Sequence, residues 1–188
     1  GIAQVSAMAG HEVVLFDINS EVLTAAELAV QKNLNKAIEL GKLDIAGKEV
    51  TIANLTYSNA ISDVKVDMVI EAIVERLDVK TKVLADLADI NGPDTIYASN
   101  TSSIPLTQIA AAFVYPQRVV GIHYFNPAHI MKLVEVISAE QTDPDVVEQA
   151  KAYVASVNKT CIVAKDAPGF IVNRVARHFY VEGLKVLE

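Results

Sequence analysis

The chain has 188 residues, 52% of them hydrophobic and 21% charged, with a mean hydropathy of +0.31, which allows one full core and excludes global disorder. Sixteen Lys and Arg against 23 Asp and Glu give a net charge of -7 and a pI near 5.1, so no excess positive charge is present to release phosphate counterions and no nucleic-acid partner is expected. No apolar stretch approaches the roughly 20 residues that cross a bilayer, and the start at Gly1-Ile2-Ala3-Gln4 lacks the basic-then-apolar plan of a signal peptide, so no membrane partner is expected either.

An Ala/Met/Gly-rich opening predicts a helix, and residues 11–17 predict a short apolar strand ending on Asp17. Ser20 is the expected cap of the next helix, with Glu21 in its first turn and Leu23, Ala26, Val30, Leu34 and Ala37 at helical spacing up to Gly41. A helical stretch over 48–54 completes an inserted helical hairpin, in which Lys32 and Lys36 share one face. Residues 67–73 predict a buried strand, followed by a helix with apolar positions Val79, Val83, Leu87 and Ile90, closed by Asn91-Gly92-Pro93.

Strand character returns at 95–99, and Pro105 suits the first turn of the helix after it. Residues 118–125 and 133–137 predict two further strands, 144–157 an amphipathic helix, and 159–165 a last strand. Beyond Asp166-Ala167-Pro168-Gly169 the pattern turns helical through Phe170, Arg174, Arg177, Val181 and Leu184, and stops at Glu188 without a cap. The alternation predicts an α/β fold, a mostly parallel sheet with helices on its faces. The single cysteine, Cys161, sits in an apolar run and is expected to be a buried strand residue; with no partner for an intrachain disulfide, it suits a reducing compartment, and a cytoplasmic location is expected.

Polar residues stand at the ends of several of these apolar runs, where an open α/β sheet builds its site. Asp17 sits where a carboxylate can hold both ribose hydroxyls of a dinucleotide, but with Asn19 and Ser20 it could equally cap the next helix, and spacing leaves both readings open. His123 in Gly121-Ile122-His123-Tyr124-Phe125-Asn126-Pro127 is either a packed ring or a proton acceptor, and Glu135, twelve positions on, could fix its tautomer. Ser102, in Ser99-Asn100-Thr101-Ser102-Ser103, and Asn126 are either turn residues or hydrogen-bond partners of a ligand. His11, His129 and His178 have no metal-ligand spacing with one another or with Cys161, so no metal site is expected.

These strings, in this order and over essentially the whole chain, closely resemble the L-3-hydroxyacyl-CoA dehydrogenase family. The resemblance implies a Rossmann-type NAD-binding domain over 1–166 and, over 167–188, the first helix of an all-helical domain through which family members form homodimers. It implies that His123 and Glu135 form a catalytic dyad, that Ser102 and Asn173 join them in the site, and that Asp17, Glu75, Lys80, Ser102 and Asn126 approach NAD. Coenzyme A contacts would fall on the helical hairpin, where Asn33 stands in place of a family serine and Leu40 near the matching lysine, with Lys32, Lys36 or Lys42 as alternative sources of charge. The implied reaction is NAD-dependent oxidation of a short-chain L-3-hydroxyacyl-CoA, such as 3-hydroxybutyryl-CoA. Alternatives are a dehydrogenase of a free hydroxy acid or a dicarboxylic acyl-CoA, and a crystallin-like relative without turnover.

A dinucleotide fold normally opens with a strand and a G-x-G-x-x-G turn. In the family that turn runs into a Gly-Ile-Ala segment like Gly1-Ile2-Ala3, so the expectation is a fragment that begins just inside the first helix.

Overall fold

The computed structural model describes residues 1–186, which hold seven α-helices and seven β-strands in two compact units. The first unit comprises residues 1–65, 125–132 and 155–159. It contains α1 (Ile2–Met8), β1 (Val13–Phe16), α2 (Ser20–Glu39), α3 (Ile45–Ala53) and β2 (Leu55–Ser58). β1 and β2 run parallel, with Val13 opposite Leu55 and Phe16 opposite Ser58.

The predicted helical hairpin forms, with caps that differ from expectation. Asn19, not Ser20, caps α2: its extended backbone lets the side chain accept from the Glu21 amide at 2.9 Å, and Ser20 becomes the first helical residue. Leu23, Val30 and Leu34 of the predicted stripe are buried, while Ala26 and Ala37 are half-buried. α3 starts at Ile45, ahead of the expected 48, because Asp44 accepts from the Gly47 amide at 2.7 Å and opens the helix there. β2 had no counterpart among the predicted elements. Leu55-Thr56-Tyr57-Ser58 lacks an apolar run, and its strand form comes from the ladder with β1.

The second unit comprises residues 66–124, 133–154 and the described residues from 160 on. It contains β3 (Met68–Glu71), α4 (Leu77–Asn91), β4 (Ile96–Ser99), α5 (Leu106–Ala111), β5 (Val119–Tyr124), β6 (Leu133–Ser138), α6 (Pro144–Ser156, all but its last two residues), β7 (Thr160–Lys165) and α7 (Val172–Lys185). The sheet order is β3-β4-β5-β6-β7. Among the described residues only the β5–β6 pair is antiparallel; the other ladders are parallel, as predicted. The connection from Tyr124 to Leu133 is shorter than the dozen or so residues a parallel crossover needs, so β6 returns beside β5 in the opposite sense. β4 and β5 are buried at every position, which explains why they read as continuous apolar runs rather than alternating ones.

α4 departs from its predicted face. The buried residues are Lys80, Leu84, Leu87 and Ala88, while Val79, Val83 and Ile90 are only half-buried. A lysine normally points outward, but the Lys80 ammonium group is paired inside with Glu71. α7 buries none of its described residues, and the end expected at Glu188 lies outside the described residues.

Candidate active site

The β5–β6 register sets His123 directly opposite Glu135, which turns a spacing of twelve residues into a cross-strand pair. Both residues are buried, at 3% and 0% exposure, and His123 Nδ1 lies 2.7 Å from Glu135 Oε2. A carboxylate can only accept, so it fixes the proton on Nδ1 and leaves Nε2 directed at Ser102 Oγ, 3.0 Å away. The other oxygen, Oε1, accepts the amides of Ile171 and Val172 at 3.0 and 2.9 Å, amides that a helix start leaves without intrahelical partners. Gly169 (φ 76°) and Phe170 (φ 45°) make the turn that brings them there, and the Phe170 ring meets the imidazole edge-on at a centroid distance of 5.6 Å.

The loop after β4 carries Ser102 and is held from below by acids. Glu75 Oε1 accepts from the Thr101 hydroxyl at 2.6 Å, the Ser102 and Ser103 amides at 2.9 and 3.0 Å, and the Ser103 hydroxyl at 2.9 Å. Partial burial pushes the Glu75 carboxyl upward, but the hydrogen bonds from Thr101, Ser103 and Ser102 and the nearby Lys80 charge outweigh it and bring its pKa down to about 2. Lys80 Nζ, 1% exposed, lies 3.2 Å from Glu75 Oε2 and 2.9 Å from Glu71 Oε2. Glu71 also accepts from the Ser99 hydroxyl and, at 3.3 Å, from the Ile73 amide. Beyond the loop, Asp166 caps α5 by accepting from the Leu106 and Thr107 amides at 2.9 and 2.8 Å.

The structure thus joins Ser102, His123 and Glu135 in one relay and ties Glu75 and Lys80 to it through the Ser102 backbone. Asn173 is exposed and directly follows Val172, whose amide Glu135 holds. Asp17 and Asn126 belong to the first unit. Asp17, half-exposed at the carboxyl end of β1, accepts from the Asn19 amide through Oδ1 at 2.9 Å; Asn19, not Asp17, caps α2, and Asp17 holds that cap with one of its two oxygens. Asn126 is exposed and precedes a cis proline, Pro127. On the hairpin, Asn33 donates to Gln4 Oε1 at 3.0 Å, and Lys36 pairs with Glu39 at 2.9 Å. Cys161 is half-buried in β7 rather than buried, and its burial still pushes the thiol up.

Sequence reasoning passed over Glu71, Ser99, Asp166 and the two amides at the start of α7. Glu71 did carry a signal, an acid closing the apolar run Met68-Val69-Ile70. The amides carried none, since any residue but proline supplies one.

The sequence model of the family described as "3-hydroxyacyl-CoA dehydrogenase, NAD binding domain" matches residues 1–167. The chain belongs to this family. Its matches include the Escherichia coli protein named 3-hydroxyadipyl-CoA dehydrogenase, 45% identical over 189 aligned positions that cover 100% of this chain and 40% of that protein. A solved 3-hydroxybutyryl-CoA dehydrogenase from Escherichia coli superposes with a TM-score of 0.96 at 44% identity, covering 99% of this chain and 40% of that one. The (S)-3-hydroxybutyryl-CoA dehydrogenase from Ralstonia eutropha gives 0.90 at 38% identity, covering 93% and 62%. The chain therefore spans about two fifths of the curated relative it matches.

The dehydrogenase family's NAD fits the residues present. Asp17 keeps its second carboxylate oxygen, Oδ2, without a partner among the described residues, at the strand end where a Rossmann fold meets the adenosine ribose. No group of three or more His, Cys, Asp or Glu among the described residues could hold a metal ion. No described helix is long and apolar enough to cross a membrane.

Proposed function

We propose that the protein oxidises the hydroxyl of an L-3-hydroxyacyl-CoA to the 3-oxoacyl-CoA. The observation that carries this reading is the relay Ser102 Oγ, His123 Nε2, His123 Nδ1, Glu135 Oε2, with steps of 3.0 and 2.7 Å. Bound NAD supplies the hydride acceptor. His123 takes the hydroxyl proton on Nε2, and the imidazolium that results is stabilised by Glu135 across the ring. Ser102 donates to the substrate oxygen beside His123, and Asn173, at the start of α7, positions the substrate. In the first unit Asp17 holds the ribose and Asn126 is a cofactor residue; in the second, Glu75 and Lys80 are cofactor residues. Residues 1–166 form the cofactor domain and 167–188 begin a helical one, in a cytoplasmic homodimer.

Short acyl chains are one substrate class, in line with the two solved relatives named for 3-hydroxybutyryl-CoA. A dicarboxylic acyl-CoA is the second, favoured by the 45% identical relative named for 3-hydroxyadipyl-CoA. Steady-state reduction of acetoacetyl-CoA and 3-oxoadipyl-CoA with NADH by the full-length protein decides between them through kcat/KM. Failure with both thioesters, together with turnover of a free hydroxy acid, would overturn the acyl-CoA reading. No turnover of any of these would leave a non-catalytic relative.

A further inference from the structure

Glu71 and Lys80 form an ion pair whose side chains are only 2% and 1% exposed. Burying two charges costs several kcal/mol per ion, and exchanging such a pair for packed apolar side chains is often neutral or stabilising. Stability is therefore a poor account of why a lysine on α4 points inward. Geometry is a better one. Lys80 Nζ bridges two carboxylates, Glu71 Oε2 at 2.9 Å and Glu75 Oε2 at 3.2 Å. Glu71 receives the Ser99 hydroxyl, and Ser99 Oγ in turn accepts the Thr101 amide at 3.2 Å. Glu75 gathers the Thr101 hydroxyl and the amides of Ser102 and Ser103. The loop over 99–103 is thus held at both ends by two acids that share one ammonium.

We propose that Glu71 is a positioning residue: through Lys80 and Ser99 it fixes the loop over 99–103 so that Ser102 Oγ stays within hydrogen-bonding reach of His123 Nε2. The inference rests on the roles given to Ser102 and His123 above. It assigns to Glu71 no contact with substrate or cofactor. Glutamine in its place keeps the volume, but lacks the charge that offsets Lys80, and with its oxygen at the Oε1 position its NH2 group turns N–H against the Lys80 ammonium and the Ile73 amide, which Oε2 accepts.

The test uses full-length protein carrying Glu71→Gln, Ser99→Ala, Ser102→Ala and the pairs Glu71→Gln/Ser102→Ala and Ser99→Ala/Ser102→Ala. It reads kcat and KM with NADH and the better thioester, and follows the His123 ring by NMR titration. We expect Glu71→Gln to lower kcat about tenfold or more with KM for NADH changed by less than about threefold, and the pair to be no slower than Ser102→Ala alone by more than about twofold. The His123 titration midpoint should move in the same direction in Glu71→Gln as in Ser102→Ala.

Losses that multiply in the double variant, or an unchanged kcat in Glu71→Gln, overturn the proposal. If Glu71→Gln does not fold, Ser99→Ala carries the same cycle, and multiplying losses there overturn it equally. If the wild type turns over neither thioester, the functional reading has failed, and an unmoved His123 midpoint in Glu71→Gln still overturns the positioning role on its own.

Discussion

Glu135 serves His123 and the start of α7 with different oxygens: Oε2 takes the imidazole Nδ1 at 2.7 Å while Oε1 takes the Ile171 and Val172 amides. One buried carboxylate therefore sets the tautomer of the proposed base and the position of the helix that bears Asn173. Glu135→Gln cannot do both, because an amide group has one accepting oxygen and one donating nitrogen: with its oxygen on the two backbone amides its NH2 drives the imidazole proton to Nε2, the wrong tautomer, and with its oxygen on Nδ1 its NH2 opposes the Ile171 and Val172 N–H groups. We expect kcat to fall about a hundredfold or more and stability to drop by about 1–3 kcal/mol as charge-assisted hydrogen bonds are lost or donors left unsatisfied. Stopped-flow turnover and denaturant unfolding check the two parts, and a variant with wild-type kcat would remove Glu135 from the relay.

His123→Gln should lower turnover about a hundredfold or more while NADH affinity stays nearly unchanged, since a general base contributes roughly 10²–10⁴ in rate. Fluorescence titration with NADH beside the kinetic assay separates chemistry from binding. Undiminished activity would exclude His123 as the proton acceptor.

Asp17 predicts a preference for NADH over NADPH of at least about tenfold, because its carboxylate would face a 2′-phosphate at short range. Asp17→Ala should erode that preference. It should also loosen the turn to Asn19, so the ratio of kcat/KM for the two cofactors is the decisive measurement rather than absolute activity. Equal use of both cofactors by the wild type contradicts the ribose assignment.

Glu75 is held ionised in the folded state, with its pKa lowered to about 2, so the folded protein binds its proton less readily than the unfolded chain does. Its contribution to stability is fully present above the unfolded carboxyl range and disappears as pH falls toward 2. Glu75→Gln should therefore flatten the stability curve between about pH 4.5 and 2. Urea midpoints of wild type and variant across that interval measure it, and parallel curves would contradict the shift.

Gly121 faces Ile137 across the β5–β6 ladder so closely that an added Cβ would stand 2.9 Å from Ile137 Cβ. That atom is fixed to the backbone of a buried strand and can yield only if the ladder shifts. Gly121→Ala should cost about 1–3 kcal/mol, read as a lower unfolding midpoint. A wild-type midpoint would mean that β5 and β6 can separate slightly without loss.

The sequence alone determined the order of helices and strands except β2, the helical hairpin and the ends of the runs where polar residues gather. Each of these follows from local periodicity, caps and punctuation, as in the apolar stripe of α2 or the runs of β4 and β5. It also yielded Ser102, His123 and Glu135, because their strings are specific enough to resemble one family. Only the tertiary structure decided the antiparallel return of β6, which makes His123 and Glu135 cross-strand partners, and the second duty of Glu135 toward backbone amides that no side chain announces. It likewise turned Lys80 inward against Glu71 and Glu75, against the usual preference of a lysine for solvent. Such choices depend on charges and hydrogen-bond donors brought together from distant positions, and a local reading of spacing cannot contain the interaction energy of groups that meet only when the sheet has formed.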